Sequence, residues 1–210
     1  VVFFHHGPGL DEGSKDTMAR IAEWGYYVIT HDRYHRDAEW YVMESRSDEE
    51  VQKMFGLITK TSEDLVSHDL GVVLDWLRSD PAAQGGAMGC VGYCIGARSV
   101  LITIAQRGDL FRAGVALHPS FCTTDQPDSP HLGVPAYTGS LYVGFGADDE
   151  MQPASANGPL IEFTNELDKG EAEIHDGADH GFAVYGPAYH EAAAERSYER
   201  AKVMFGRELR

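Results

Sequence analysis

Short apolar runs alternate with amphipathic stretches along the whole chain. Val1–Phe4 is a continuous apolar run, the pattern of a strand buried on both faces. A Gly/Pro loop follows, and residues 14–25 read as a helix, with Ser14 as its cap and Gly25 as its stop. Residues 26–30 form a second buried strand, left by a polar loop through Trp40. Residues 41–60 predict irregular or short helical structure. The stretch 61–80 carries the clearest helical pattern. Thr61 or Ser62 caps it, acidic residues fill its first turn, and Val66, Leu70, Val73, Leu74 and Leu77 recur at helical spacing.

The alternation then continues. Residues 87–93 predict a strand, 95–108 a helix, and 112–118 and 140–145 two further strands. A Pro-rich loop separates the last two. Helix 156–168, strand 172–176 and a final helix 188–205 complete the pattern. In that last helix Ala194, Tyr198, Ala201 and Phe205 share a face, and Gly206 is the expected stop. Strands alternating with helices predict an α/β fold, a mainly parallel sheet with helices on both faces. At 210 residues the expectation is one domain spanning 1–210, with no internal repeat or linker.

Charge narrows the partners. The formal net charge is −16, so phosphate-rich surfaces are repelled and neither nucleic acid nor an anionic membrane is expected. No apolar run approaches ~18 residues, so no membrane span is predicted, and no signal-peptide pattern is visible. Three cysteines, an odd number in a mid-sized chain, predict a reducing, cytoplasmic compartment rather than a disulfide scaffold.

The chemistry concentrates at Gly92-Tyr93-Cys94-Ile95-Gly96, between a strand and a helix. This is a nucleophile elbow, G-x-S-x-G, with cysteine in place of serine. The turn is sharp, so its flanking positions must be tiny. It lifts the nucleophile to the N-terminus of the following helix, where the dipole favours a thiolate. Cys90 and Cys122 lack such a setting and read as structural. An elbow needs an acid and then a histidine further along the chain. Asp148 and Asp149 follow one strand, and His180 follows the next, flanked by glycine. Each lies just past the C-terminal end of a strand, where open α/β sheets bind ligands. Spacing alone leaves both aspartates open. His5, His6, His31 and His35 follow two strands, but no ligand spacing specifies a metal, and none is expected. His6 and His35 are expected at the pocket, and His118 facing it.

With "GYCIGAR", "GADDEMQP" and "GADHGFA", and "HHGPGLDE" and "DRYHR" upstream, the chain resembles the dienelactone hydrolase family. That family is the cysteine-nucleophile branch of the α/β-hydrolase fold. "PDSPH" resembles members of it too, and the likeness runs over essentially the whole chain, with the fold's N-terminal strands absent before Val1. It implies Cys94 as nucleophile and His180 as general base. The family's G-x-x-D-x-x-x-P frame, set here by Gly146 and Pro153, selects Asp149 as the acid. The backbone N–H groups of Ile95 and Gly7 would form the oxyanion hole, and Arg36 would meet a substrate carboxylate. Tyr93, His6, His35 and His118 join Arg36 as substrate-binding candidates. Two positions depart from the family. His6 stands where a glutamate controls the cysteine, and Val184 where a second arginine stands, and both argue against dienelactone itself as substrate. The expected activity is hydrolysis of a small-molecule ester or lactone through a thioester acyl-enzyme, without metal or organic cofactor, by a monomer or homodimer. A thioesterase or acyl-transferring enzyme, and a non-enzymatic binding module on the same fold, are the other readings.

Overall fold

The computed structural model describes residues 1–83 and 86–210. Six strands form one sheet: β1 (Val2–Phe4), β2 (Ile29–Thr30), β3 (Met88–Tyr93), β4 (Phe111–Leu117), β5 (Ser140–Gly146) and β6 (Gly170–His175). Their spatial order is β2-β1-β3-β4-β5-β6, and every pairing is parallel. The helices are α1 (Glu12–Glu23), α2 (Asp48–Lys60), α3 (Glu63–Leu77), α4 (Ile95–Arg107), α5 (Gly158–Glu166) and α6 (Glu191–Glu208).

Side-chain alternation along the strands builds two cores. Val2, Phe4, Cys90, Ala116 and Val143 point into one, closed by α3, α4 and α5. Phe3, Val91, Val115, Leu117 and Tyr142 point into the other, closed by α1 and α6. The continuous apolar runs of β3 to β5 follow from this, since both faces are covered. A third, smaller cluster of Tyr34, Tyr41 and Leu57 joins α2 to the loop after β2.

Several boundaries differ from the sequence pattern. Asp11, not Ser14, caps α1. Its carboxylate accepts the Ser14 N–H at 2.8 Å, while the Ser14 hydroxyl, buried inside the helix, donates to the Gly9 carbonyl at 3.2 Å. The second strand keeps only Ile29 and Thr30 of the apolar run. Of the two cap candidates for α3, Ser62 accepts the Leu65 N–H. Within 41–60, expected to be irregular or short helical, residues 48–60 form one regular helix, capped by Ser47 on the Glu50 N–H. Gly206 does not stop α6, which runs on to Glu208. Space around Gly206 is open, so its missing Cβ neither blocks nor demands an end there. The Pro-rich loop between β4 and β5 contains a 3-10 turn, Pro130–Ala136, packed on α4.

Candidate active site

Parallel strands present all their C-terminal ends on one edge, and the chemistry gathers there. Cys94 leaves β3 with φ 56° and ψ −119°, a left-handed backbone that a side chain adopts only under constraint. The two flanking glycines supply the constraint. A Cβ on Gly92 would lie 2.1 Å from the Gly96 carbonyl oxygen, and one on Gly96 would lie 2.2 Å from the Phe4 carbonyl oxygen. The turn closes because neither exists. The Cys94 N–H donates to the Leu117 carbonyl at 3.1 Å, and its own carbonyl accepts the Ala97 and Ser120 N–H groups.

Four side chains then form a chain of contacts. Cys94 Sγ lies 3.3 Å from Ser120 Oγ, which lies 3.5 Å from His180 Nε2. His180 Nδ1 donates to Asp149 Oδ2 at 2.7 Å. The other Asp149 oxygen accepts the Gln152 N–H at 2.8 Å, so the carboxylate is held at both ends. Asp149 is buried, whereas Asp148 makes its contact through its backbone, to the Ala178 carbonyl. Burial alone would raise the Cys94 thiol. Hydrogen bonding and charge from His180, the Ser120 hydroxyl and the Gly7 N–H outweigh it and bring the pKa down to about 6. Burial pushes His180 the other way, down, but Asp149 and Cys94 carry it up to about 10. Burial likewise opposes the Asp149 carboxylate, yet His180 and Gln152 hold its pKa below the ordinary value. Both shifts run in the direction that favours a thiolate beside an imidazolium.

Gly7 is placed by the loop after β1. His5 Nδ1–H donates to the His6 carbonyl at 2.8 Å, and His5 Nε2 accepts the Arg33 N–H at 3.2 Å. Burial lowers the His5 pKa to about 3, so the ring stays neutral in that bridging role. The His6 carbonyl shares its peptide plane with the Gly7 N–H, which reaches the Cys94 sulfur, and the Tyr34 hydroxyl donates to the Gly7 carbonyl at 3.0 Å. Ile95 opens α4, where backbone N–H groups lack intrahelical acceptors.

A cavity of about 430 Å³ opens onto Cys94, Ser120 and His180, and Ile95, Gly7, His6 and His118 line it. His6 Nε2 sits 3.0 Å from Asp11 Oδ2. His118 is fully buried, with φ 38°, its ring 5.1 Å edge-on to His180 and its two ring nitrogens without a hydrogen-bond partner among the described residues. Burial drives its pKa well below the usual value, so it is neutral. Three residues expected at the pocket lie elsewhere. Arg36 makes a two-pronged ion pair with Asp69, at 2.7 and 2.5 Å, away from the cavity. His35 leans on the same carboxylate at 3.3 Å and is half exposed. Tyr93, next to Cys94, points to the opposite face of the strand and packs on Phe3, their ring centroids 5.3 Å apart.

Sequence reasoning missed Ser120 and the segment that places it. Phe121, with φ 54°, donates its N–H to Gln152 Oε1 at 3.1 Å and offers its carbonyl to the Arg98 guanidinium. This strap ties the loop after β4 to α4 and to the Asp149 turn. The signal in the sequence was position. Ser120 follows the strand beside the elbow strand, where the elbow's neighbours must lie.

A parallel sheet of this order, with a strained Gly-x-Cys-x-Gly turn after β3 and Asp149 and His180 following later strands, defines an α/β-hydrolase fold. Solved structures agree. A structure from Klebsiella pneumoniae provisionally named as a dienelactone hydrolase superposes with a TM-score of 0.81 at 22% identity, covering 98% of this chain and 85% of that one. The dienelactone hydrolase-like promiscuous phosphotriesterase P91, from metagenomic libraries, gives 0.69 at 18% identity over 100% and 86%. The dienelactone hydrolase family model matches residues 1–209, and the chain belongs to that family. A curated relative from Gibberella moniliformis named "Dienlactone hydrolase 1" is 26% identical over 188 residues, 87% of this chain and 67% of the relative. The carboxymethylenebutenolidase of Pseudomonas putida is 25% identical over 157 residues, 69% of this chain and 66% of that enzyme. Among the described residues, no helix is long and apolar enough to cross a membrane.

Proposed function

We propose that this chain hydrolyses carboxylic esters, with Cys94 as nucleophile, His180 as general acid and base, and Asp149 as the acid that orients it. The carrying observation is the unbroken line Cys94–Ser120–His180–Asp149 beside the cavity. The thiolate adds to the ester carbonyl carbon, and the carbonyl electrons move onto oxygen. The N–H groups of Gly7 and Ile95 meet that oxyanion. Collapse expels the alcohol oxygen, which takes the proton from the His180 imidazolium, and leaves a thioester on Cys94. The thiolate, one of the two anions that raise the His180 pKa, is now gone. The neutral imidazole accepts a proton from water, whose oxygen attacks the thioester. The acid departs and the thiolate returns. Asp149 fixes the tautomer with Nδ1–H toward itself, so that Nε2 faces the reaction throughout.

The test is hydrolysis of p-nitrophenyl acetate by wild type and Cys94→Ala, with mass spectrometry for an acetyl adduct on a tryptic peptide. Turnover should fall at least a thousandfold and the adduct should map to Cys94. Undiminished turnover in Cys94→Ala would overturn the reading.

A further inference from the structure

Resting on the ester-hydrolase reading, we infer that the cavity selects neutral esters with an extended apolar group and rejects carboxylated ones. Its size and its lining point the same way. About 430 Å³ holds roughly 14 water-sized heavy atoms, more than an acetyl ester needs. One wall is a face of α2, where Val51, Met54, Phe55 and Ile58 recur at helical spacing and all line the cavity. Met151 and Val184 close it from the His180 side.

The charges lining it do not suit an anion. Arg36 is held on Asp69, outside the cavity, and Val184 is apolar. Glu44 and Arg46 both line the cavity, and so does Asp11, whose carboxylate lies 3.0 Å from His6 Nε2. Burial opposes the Asp11 carboxylate, but His6 and Ser14 hold its pKa below the ordinary value, so it stays anionic. Around this sits a chain of net charge −16. A carboxylate entering here loses its water and meets the carboxylates of Asp11 and Glu44, and the guanidinium that lines the cavity, Arg46, is countered in charge by Glu44.

Two sets of probes test this independently of turnover and with it. Cys94 is alkylated with iodoacetamide and iodoacetate, reagents of similar size that differ by one negative charge. It is also alkylated with N-alkylmaleimides from ethyl to octyl. Each rate is normalised to the rate on free cysteine. Iodoacetate should be disfavoured by at least tenfold, and maleimide rates should rise with chain length, by up to about fourfold per buried methylene. In parallel, kcat/KM is measured for p-nitrophenyl acetate, butyrate and hexanoate and for the p-nitrophenyl hemiester of succinate. Hexanoate should exceed acetate at least tenfold, and the hemiester should be the poorest. Val51→Lys, or Met43→Lys should that fold better, should bring iodoacetate to within threefold of iodoacetamide. Normalised iodoacetate rates equal to those of iodoacetamide, or Cys94-dependent turnover fastest on the hemiester, would overturn the inference. Selective alkylation without hydrolysis of any ester would uphold the cavity's selectivity and sink the hydrolase reading instead.

Discussion

His180→Gln isolates what makes Cys94 a thiolate. The thiol pKa stands near 6 against an ordinary value of 9.0, in spite of a burial contribution that works the other way. Three units correspond to about 4 kcal/mol, and His180 is foremost among the groups that supply it. Glutamine keeps a polar group of similar reach but no positive charge. With the cation gone and burial left in place, the thiol should titrate at 9 or above. The thiolate fraction at pH 6 then falls from about one half to about one in a thousand. A thiolate of higher pKa is intrinsically more nucleophilic, which returns roughly twentyfold. The net loss at pH 6 is therefore about 25-fold, narrowing to about fivefold at pH 7. The assay is the rate of iodoacetamide alkylation from pH 4 to 10, with the ultraviolet absorbance of the thiolate as a second readout. Wild type should show a midpoint near 6. The sign follows from the pair: lowering pH through that midpoint protonates the sulfur and silences it, whereas raising pH toward 10 discharges His180 and leaves the thiolate in place. A midpoint in His180→Gln within half a unit of wild type would refute the reasoning.

Ser120→Ala removes a hydroxyl 3.3 Å from the sulfur. A hydrogen bond to a charged group contributes ~1.5–3 kcal/mol, so the alkylation midpoint should rise by about one unit, and Ser120→Thr should restore it. An unmoved midpoint would make Ser120 a packing residue. Asp149→Asn should lower kcat by several orders of magnitude through the wrong His180 tautomer, and Asp148→Asn by less than threefold. The reverse pattern would show that Asp148 is the acid. Gly96→Ala drives a Cβ to 2.2 Å from the Phe4 carbonyl oxygen. It should cost ~3 kcal/mol or more and lower Tm by ~6 °C or more, read by calorimetry. A Tm within 2 °C of wild type would show that the elbow opens to make room.

The alternating layers were legible because β1, β3, β4 and β5 are short apolar runs between well-marked helices, and the elbow because its two glycines bracket one nucleophile. The full extent of α2 was also written in the sequence, where only irregular or short helical structure was expected. Ser47 and Glu50 carry the S-x-x-E spacing of a helix start, and Val51, Met54, Phe55 and Ile58 keep helical spacing. Its apolar face meets a cavity rather than the main core, so few of its side chains are fully buried and the stretch looks too polar for a packed helix. Arg36 was misplaced for a different reason. A family position fixes where a side chain starts, but not which partner it finds. Asp69, nearly two turns into α3 on its buried face, is a carboxylate that Arg36 reaches before any ligand does. Tyr93 followed the pleat. Adjacent residues of a strand point to opposite faces, so the neighbour of an upward-facing nucleophile packs beneath it.

Ser120 shows why the rest of the site could not be read from motifs. Cys94, Ser120, Asp149 and His180 come from four successive strands of the sheet order, β3 to β6. Parallel pairing sets their heights: Tyr93 pairs with Leu117, Leu117 with Gly144, and Gly146 with His175. Each strand therefore ends within a residue or two of the same level, and whatever follows it is delivered to the same edge. A nucleophile motif marks one of these ends. The others are marked only by being next in register, which periodicity along the chain does not encode. The glycines make the same point from below. At Gly144 a Cβ would meet the Leu117 side chain at 2.8 Å, and at Gly146 the Ala178 carbonyl at 2.3 Å. The bare backbone of β5 lets the His180 loop settle close over the sheet, and that closeness sets the 2.7 Å contact between His180 and Asp149. In this chain the reactive geometry is thus a property of the strand register, and the glycines that permit the register belong to the site as much as the side chains that line it.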